Sequence, residues 1–403
     1  MRAVDNGVTT TAGPAEVARR LYSALAGGDR DTLDEILHPD FVGHLADGMP
    51  FGIGGEHRGA EAMRRSGWGG IAKHFAASAE AEQFALLEDG RLLVTGRYRG
   101  HGRRGGGAVD ATFAHVVTVQ DGRITALDQY TDTARWARGA PPYSAIEFEV
   151  AGGLATITLN RPKEGNAIDQ VICEDLARAA TRLAEDPGVR AVLLKANGPM
   201  FTAGGDIRVF TATPPERLPA QLRLMIDPYH FAIERLTALD APLVAAVKGA
   251  AAGGGLGLVG MADIVVAAED AVFTTGYGAI GMTSDGGNSW FLPRLIGMRR
   301  TQELYYTNRR LTAAEALDWG LVTSVVPADE VDAEGERIAA GIAQGPTRSF
   351  GAIRRLLRQS FDTGLRDQLA DEEQTIVDAC GTADTLEGVT AFAERRRPTY
   401  TGT

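Results

Sequence analysis

The sequence predicts two domains of different class, an N-terminal α+β domain followed by a C-terminal α/β domain. The chain has 403 residues, which is more than a single hydrophobic core usually serves. In its first part, helical patterns precede strand patterns, whereas in its second part short apolar strands alternate with helices. The first order is typical of an antiparallel sheet curled over helices, and the second of a parallel sheet with crossover helices.

The N-terminal domain is predicted to start with an amphipathic helix over residues 16–25, because Val17, Leu21 and Leu25 recur at helical spacing. A second helix is expected over residues 32–37. After Trp68, three segments of strand character follow, separated by glycine-containing turns: GRLLVTGRYRG, DATFAHVVTVQDG and RITALDQYTD. We therefore predict an α+β domain over residues 14–138, preceded by a flexible N-terminus at residues 1–13.

The segment RGAPPYSA contains two prolines and predicts a linker at residues 139–144, which leaves residues 145–403 for the C-terminal domain. Strands of that domain are expected in LATITLN, AVLLKAN, LVAAVKG and DIVVAA, with a helix starting near Ile168. In LTAAEALDWGL, Thr312 and Glu315 have the spacing of a capping box, and Gly320 can end the helix. This last motif is therefore assigned to the scaffold.

The composition limits the classes of function. A net charge of −11 without a long basic block argues against a nucleic acid partner. No apolar run approaches about 20 residues and the first residues lack a signal-peptide pattern, so we expect no membrane association and a cytoplasmic location. Cys173 and Cys380 are too few for a disulfide framework, and both are expected to be buried. No metal site, nucleotide-redox fingerprint or other cofactor is predicted.

Glycine is abundant, with 50 residues, and two glycine-rich motifs follow predicted strands: FTAGGDI at residues 201–207 and GAAAGGGLGL at residues 249–258. Free N–H groups in the first turn of a helix can bind an anion or a developing oxyanion. Either motif alone could equally be a turn at which a strand packs closely on a helix.

Motifs spread over residues 145–398 resemble, in order and spacing, the enoyl-CoA hydratase/isomerase (crotonase) superfamily: LNRPKEGNAID, FTAGGDI, KGAAAGGGLGL, LPRLIG, LTAAEALDWGLVTSVVP and FAERRRPTY. The resemblance implies a spiral of ββα units with a helical C-terminal region, a homotrimer or homohexamer, and an enzyme that binds an acyl thioester. It also implies that the main-chain N–H groups of Gly205 and Gly254 form an oxyanion hole. By the same resemblance, further residues bind the substrate and its CoA: Lys163, Ala167, Ala203, Asp206, Ile207 and Arg208. If the fusion with the N-terminal domain places the chain in secondary metabolism, an acyl carrier protein is expected to replace CoA.

Hydratases of this family position water between two glutamates, whereas this sequence has Gly257 and Tyr277 at the matching positions. Ordinary hydration of a 2-enoyl thioester is therefore not expected, because no side chain there can move the proton of the water. Asp285, in GMTSDGGNSWFLPRLIG, matches the proton-transferring aspartate of the 1,2-epoxyphenylacetyl-CoA isomerase type. Its structural alternative is a helix N-cap.

Three functions follow from these motifs. The first is isomerisation, in which Asp285, with His230 or Tyr277, removes and returns a proton while the oxyanion hole holds the enolate oxygen. The second is nucleophilic dehalogenation or hydrolysis by Asp285, because Tyr229 and His230 match the Trp-His pair of 4-chlorobenzoyl-CoA dehalogenase; Tyr277 replaces the loop tryptophan of that enzyme. The third is a non-catalytic thioester-binding or assembly module, since both glutamates are missing.

Within residues 14–136, LYSALAGGDRDTLDEILHPDFVGH, HRGAEAMRR and HVVTVQDGRITALDQYTD resemble a SnoaL-like member of the nuclear transport factor 2 superfamily, which has a cone-like α+β fold. That family includes polyketide cyclases with a pocket aspartate and modules that only dimerise, so a role in secondary metabolism such as polyketide biosynthesis is expected. Strict alternation along RITALDQYTD puts Asp128 and Tyr130 on one face. With His44 and His115, they form a candidate pocket in which Asp128 is the base.

Overall fold

A computed structural model describes residues 13–103 and 106–403, and the chain divides into two compact units, Met1–Pro142 and Tyr143–Thr403. The first unit is α+β and the second is α/β, as the sequence predicts. The prediction of a flexible segment at residues 1–13 falls, apart from Gly13, outside the described residues.

The first unit contains a six-stranded sheet and short helices around it. Its strands are β1 (Leu37–Leu45), β2 (Gly55–Arg58), β3 (Phe75–Leu86), β4 (Leu92–Gly102), β5 (Ala108–Gln120) and β6 (Arg123–Thr131). Its helices are α1 (Pro14–Gly27), α2 (Arg30–Ile36), α3 (Ala60–Ala62), α4 (Trp68–His74) and α5 (Thr133–Gly139), with a 3₁₀ turn at Pro50–Gly52 and a π-helical turn at Met63–Gly67. The strand order is β2-β1-β6-β5-β4-β3, and all neighbours are antiparallel except β1 and β6.

Helix α1 shows why the first unit folds as the sequence predicts. Pro14 is at the start of the helix, where the missing N–H removes no hydrogen bond, and Gly28 ends it with a φ of 67°. Val17 and Leu21 are buried in the same core as Trp136 of α5. The predicted amphipathic helix is thus confirmed, and it covers one face of the sheet.

The second unit contains a six-stranded and a three-stranded sheet. Its strands are β7 (Ile146–Ala151), β8 (Leu154–Leu159), β9 (Ala191–Ala196), β10 (Leu243–Val247), β11 (Ala250–Ala252), β12 (Ile264–Ala268), β13 (Val272–Thr274), β14 (Leu311–Thr312) and β15 (Ser324–Val326). Its helices are α6 (Gln170–Glu185), α7 (Ile207–Ala212), α8 (Leu218–Ala238), α9 (Gly255–Gly260), α10 (Asn288–Ile296), α11 (Met298–Thr307), α12 (Ala313–Trp319), α13 (Val331–Ala343), α14 (Thr347–Gln359), α15 (Leu365–Cys380) and α16 (Ala383–Glu394), with 3₁₀ turns at Pro162–Glu164 and Tyr277–Ile280.

The larger sheet of the second unit has the order β15-β12-β10-β9-β8-β7 and is parallel except for the pair β7–β8. Its central strand β10 is buried at every position, which explains the continuous apolar run LVAAV. In the smaller sheet, β13 lies between β11 and β14. The four strands predicted for this domain correspond to β8, β9, β10 and β12.

Local signals of the second unit are confirmed in α12. The Thr312 hydroxyl accepts from the N–H of Glu315, whose carboxylate accepts from the N–H of Thr312 at 2.9 Å, and Gly320 follows the helix with a φ of 83°. Cys173 is buried as expected, but the expectation for Cys380 is wrong. Cys380 is exposed because it ends α15, a helix without buried residues.

No helix within residues 13–103 and 106–403 is both long and apolar enough to cross a membrane. Likewise, the described side chains include no group of three or more His, Cys, Asp or Glu residues that could hold a metal ion.

Candidate active site

Two glycine turns of the second unit lie side by side. The N–H of Thr202 donates to the carbonyl oxygen of Ala250 at 2.9 Å, and the N–H of Ala252 donates back to Thr202 at 3.2 Å. Gly204 has a φ of 86°, and a Cβ atom there would lie 2.8 Å from the carbonyl oxygen of Ala252. The absence of a side chain therefore lets the two turns approach to main-chain contact.

Each turn presents one free main-chain donor. Within the described residues, neither the N–H of Gly205 nor that of Gly254 donates a hydrogen bond to the protein. Both residues line the same cavity, which has a volume of about 280 Å³. Two free N–H groups in one cavity can stabilise an oxygen on which negative charge develops during a reaction.

Asp285 lies against the second of these turns. A Cβ atom on Gly254 would be 3.0 Å from Oδ1 of Asp285, and Tyr277 donates its hydroxyl hydrogen to the same Oδ1 at 2.5 Å. Burial, and then the charge of Asp285, raises the pKa of Tyr277, so its hydroxyl stays protonated. Oδ2 accepts no hydrogen bond from the described residues. The carboxylate thus keeps one oxygen available for a substrate.

The buried residue Asn288 connects the parts of this site. Its Nδ2 lies 3.0 Å from the carbonyl oxygen of Gly253, 3.1 Å from the Tyr277 hydroxyl and 3.1 Å from the carbonyl oxygen of Asp285. Asn288 is not among the residues predicted from the sequence. The sequence did contain a signal for this role. An amide side chain directly after a pair of glycines, at the start of a helix, can donate to the loop that precedes the helix and so fix that loop.

Replacing Asn288 with leucine, which has a similar volume, is expected to lower kcat by about 10- to 100-fold with little change in KM. The variant loses the donors that hold Asp285 and Tyr277 in register with the oxyanion-hole turn. Steady-state kinetics with circular dichroism would measure both effects, with Ser289→Ala at the adjacent exposed position as control. An unchanged kcat in a folded variant would contradict this positioning role.

The structure brings six of the predicted residues to the cavity: Ala203, Gly205, Ile207, Gly254, Tyr277 and Asp285. His230 is not among the residues that line it. Its Nε2 instead accepts a hydrogen bond from the N–H of Gly286 at 3.1 Å, and its side chain lies on an exposed part of α8. We therefore interpret His230 as a residue that positions the Asp285 loop and does not itself face the substrate.

Four predicted substrate-binding residues lie outside the cavity. Asp206 is 5% exposed and caps α7, because its carboxylate accepts from the N–H of Arg208. The carboxylate also accepts from the guanidinium of Arg208, and this hydrogen bond lowers the pKa of Asp206. Lys163 is exposed, whereas Ala167 is buried. The chain around these two residues borders the first glycine turn, since the N–H of Ile168 donates to Gly204 at 2.8 Å. Their role in binding CoA stays a prediction.

The apolar wall of the cavity was not foreseen from the sequence. It consists of side chains from α7, α8 and the loop before α10: Phe210, Leu222, Ile226, Ile280 and Met282. Their sequence positions are far apart and their residue types are those of ordinary core positions, so no pattern marked them. This wall suits an apolar part of a ligand bound beside the two free N–H groups.

The position of the first hydratase glutamate is filled by main chain. A Cβ atom on Gly257 would overlap the carbonyl oxygen of Gly286, so no larger side chain fits there without moving the Asp285 loop. Asp285 and its loop therefore take the place that a glutamate would need at this position.

In the first unit, the predicted pocket is wrong in three of its four residues. Thr118 pairs with Ala126 but Val119 pairs with Ile124, so β6 contains one extra residue, a β-bulge. The bulge reverses the alternation after Ile124. Leu127 and Gln129 therefore face the core, whereas Asp128 is partly exposed and Tyr130 is 62% exposed.

His44 pairs with Asp128 in the β1–β6 ladder and lies on the same outer side. Its Nε2 is 3.4 Å from Oδ1 of Asp47, and it does not line the cavity of this unit. Only His115 lies where the sequence predicted it. Asp128 does not line this cavity either, so it is not placed to act as an acid or base there.

His115 is expected to make the protein less stable in acid. Burial lowers its pKa to about 3, against 6.5 for a free histidine, so below pH 6.5 the unfolded chain binds a proton that the folded chain does not. We expect a loss of about 2 kcal/mol in the free energy of unfolding between pH 7 and pH 5. Urea unfolding of the native chain and of His115→Gln at both pH values would measure it. If the free energy of unfolding fell equally in both proteins, the lowered pKa of His115 would not be the cause of the acid sensitivity.

In comparisons with known proteins, the two units match two different families. The Enoyl-CoA hydratase/isomerase family model matches residues 149–403, and the SnoaL-like domain model matches residues 18–127. Both resemblances found in the motifs, and the fold classes that they imply, are thereby confirmed.

The relatives of the second unit have several different names. A "Probable enoyl-CoA hydratase" of Rhodobacter capsulatus is 34% identical, over 64% of this chain and 99% of the relative. The 4-chlorobenzoyl coenzyme A dehalogenase-2 of an Arthrobacter species is 31% identical, over 62% and 91%. The 1,2-epoxyphenylacetyl-CoA isomerase of Escherichia coli is 32% identical, over 64% and 98%. The crystal structure of an enoyl-CoA hydratase from Polaromonas superposes with a TM-score of 0.61 at 31% identity, over 64% of this chain and all of the other.

Proposed function

Because this chain belongs to the enoyl-CoA hydratase/isomerase family, we propose that its acyl-thioester chemistry is double-bond isomerisation by proton transfer. The observation that carries this proposal is the free Oδ2 of Asp285 in the same cavity as two free main-chain donors, on Gly205 and Gly254. A base beside an oxyanion hole is the minimum that such a reaction needs.

In the proposed reaction, Asp285 removes a proton from a carbon of the acyl chain. In a 3-enoyl thioester this carbon lies between the double bond and the thioester, and in a 2-enoyl thioester it lies on the far side of the double bond. The electron pair moves into the conjugated system and the negative charge collects on the thioester oxygen, which accepts from Gly205 and Gly254. Asp285 then returns the proton to the other end of the system. No proton is gained or lost overall, and Tyr277 donates to Oδ1 throughout so that Oδ2 keeps its position.

Solvent exchange would test this function directly. A 2-enoyl and a 3-enoyl thioester of the same chain length would be incubated with the enzyme in D₂O and followed by NMR. We expect interconversion of the two, with deuterium at the carbons that exchange. Release of a 3-hydroxyacyl product instead would show hydration, and the proposal would be abandoned.

Nucleophilic attack by Asp285 is the second candidate, supported by the match to a dehalogenase and by the aromatic Tyr277 in contact with the carboxylate. Here Oδ2 would bond to an aromatic carbon and halide would leave. Incubation with a 4-halobenzoyl thioester, followed by halide measurement and mass spectrometry of the Asp285 peptide, separates this reaction from isomerisation. A purely binding module would be inert toward enoyl and aroyl thioesters alike.

We also propose that α14, α15 and α16 assemble copies of this chain. Large apolar side chains on and between these helices are exposed: Ile353, Leu357, Phe361, Leu365, Leu369, Ile376, Val377, Leu386, Val389 and Phe392. A patch of this kind usually marks an interface. Light scattering is expected to give three or six times the protomer mass, and Phe392→Asp to lower it. Leu86→Asp, an exposed leucine of the first unit, is the control. A monomeric native chain would contradict the proposal.

Three further points stay predictions. They are the carrier of the acyl group (CoA or an acyl carrier protein), the cytoplasmic location and the role in secondary metabolism.

A further inference from the structure

The first unit encloses a cavity of its own. It has a volume of about 230 Å³ and is walled mainly by apolar side chains of α1, α4 and the sheet, among them Leu21, Trp68, Ile71 and Leu127. Arg103 reaches its lining, but the Nε–H of that residue donates to the carbonyl oxygens of Ala72 and Phe75. The cavity is therefore apolar over most of its wall.

Its polar part is a chain of hydrogen bonds whose direction can be worked out. The N–H of Ala46 donates to the side-chain oxygen of Gln129 at 3.3 Å, which leaves Nε2 of Gln129 to donate to the Tyr98 hydroxyl at 2.6 Å. Among the described partners of the buried Tyr98 hydroxyl, only Nε2 of His115, 2.9 Å away, can accept its hydrogen, and we assign the hydrogen to this bond because it would otherwise have no acceptor. The position of one main-chain N–H thus orients the first three members of the chain.

The same logic fixes the last member. A neutral His115 that accepts at Nε2 carries its hydrogen on Nδ1, and the nearest acceptor is the Tyr22 hydroxyl at 2.7 Å. Tyr22 therefore accepts from His115 and still has its own hydrogen to give. Within residues 13–103 and 106–403, that hydrogen has no acceptor, although Tyr22 is only 8% exposed and lines the cavity. A buried donor without an acceptor is unfavourable unless a ligand or water supplies one.

We propose that this cavity binds an uncharged, apolar small molecule with one carbonyl oxygen, which accepts the free hydrogen of Tyr22. The apolar wall buries the body of the ligand, and the hydrogen bond from Tyr22 to the carbonyl oxygen orients it. None of the described residues that line the cavity carries a carboxylate. The site binds and orients its ligand, and acid/base chemistry by Asp128 is absent from it.

The test compares two molecules of nearly equal shape on the full chain. Acetophenone has a carbonyl oxygen, and α-methylstyrene has a CH₂ group in the same place. Calorimetric titration of the native chain and of Tyr22→Phe should show at least about a fivefold loss of acetophenone affinity on substitution, the share of one neutral hydrogen bond. The affinity for α-methylstyrene should change by less than twofold.

Tyr130→Phe removes an exposed hydroxyl from the same unit and should leave both affinities unchanged. Should Tyr22→Phe fail to fold, the ¹³C carbonyl shift of acetophenone bound to the native chain gives the answer, since a donated hydrogen bond moves it downfield. Ile71→Trp, which fills the cavity, should abolish that shifted signal. The proposal is overturned if Tyr22→Phe affects both molecules equally or neither, if no shifted signal is seen, or if benzoate binds more tightly than acetophenone.

Discussion

Asp285→Asn is expected to lower turnover by about 10²- to 10⁴-fold while thioester binding stays nearly unchanged. The amide has the shape of the carboxylate and can still accept from Tyr277, but it cannot take up a proton from carbon. The cavity wall and the two free N–H groups are left as they are. Steady-state rates and equilibrium binding of a non-reactive acyl-CoA analogue would measure the two effects separately.

Asp270→Asn is a suitable control, since Asp270 is an exposed aspartate of the same unit in the turn between β12 and β13. It should keep full activity. If Asp285→Asn also kept full activity, Asp285 would have no part in the reaction, and the isomerase and dehalogenase assignments would both fall.

Gly254→Pro is expected to lower kcat by about 10²- to 10³-fold beyond the effect of Gly254→Ala. Both substitutions place a Cβ atom 3.0 Å from the present position of Asp285 Oδ1, so both disturb the carboxylate. Only proline removes the N–H. The φ of Gly254 is −55°, which proline adopts without strain, and the lost N–H makes no hydrogen bond within the described residues.

The ratio of the two rates therefore measures the loss of the Gly254 N–H, together with the space taken by the proline Cδ that replaces its hydrogen. Single-turnover rates are the appropriate measurement, because they separate the chemical step from product release. Equal rates for the proline and alanine variants would mean that the N–H of Gly254 does not stabilise the reaction.

Local signals in the sequence predicted the scaffold well, because they depend on neighbouring residues only. The capping box of Thr312 and Glu315 is formed as predicted, and the buried strand β10 follows from its unbroken apolar run. The two glycine motifs also indicated a close approach of the main chain, which the structure shows. Glycine is needed where two turns approach to main-chain contact, and that contact is what brings Gly205 and Gly254 into one cavity.

The errors arose where placement depends on distant pairing. One extra residue in β6 moved Asp128 and Tyr130 to the outer side, and a bulge of this kind depends on the partner strand. His230 was correctly placed near Asp285, but the contact goes to the N–H of Gly286. Asn288 and the apolar wall around Phe210 were missed because their importance comes from what surrounds them in the folded chain.

A crystal structure with a non-reactive acyl-CoA thioester analogue would test the central claim most directly. We expect the thioester oxygen at about 3 Å from the nitrogen atoms of both Gly205 and Gly254, with a carbon of the acyl group facing Oδ2 of Asp285. A thioester oxygen bound elsewhere, with the two N–H groups left to water or to protein acceptors, would contradict it.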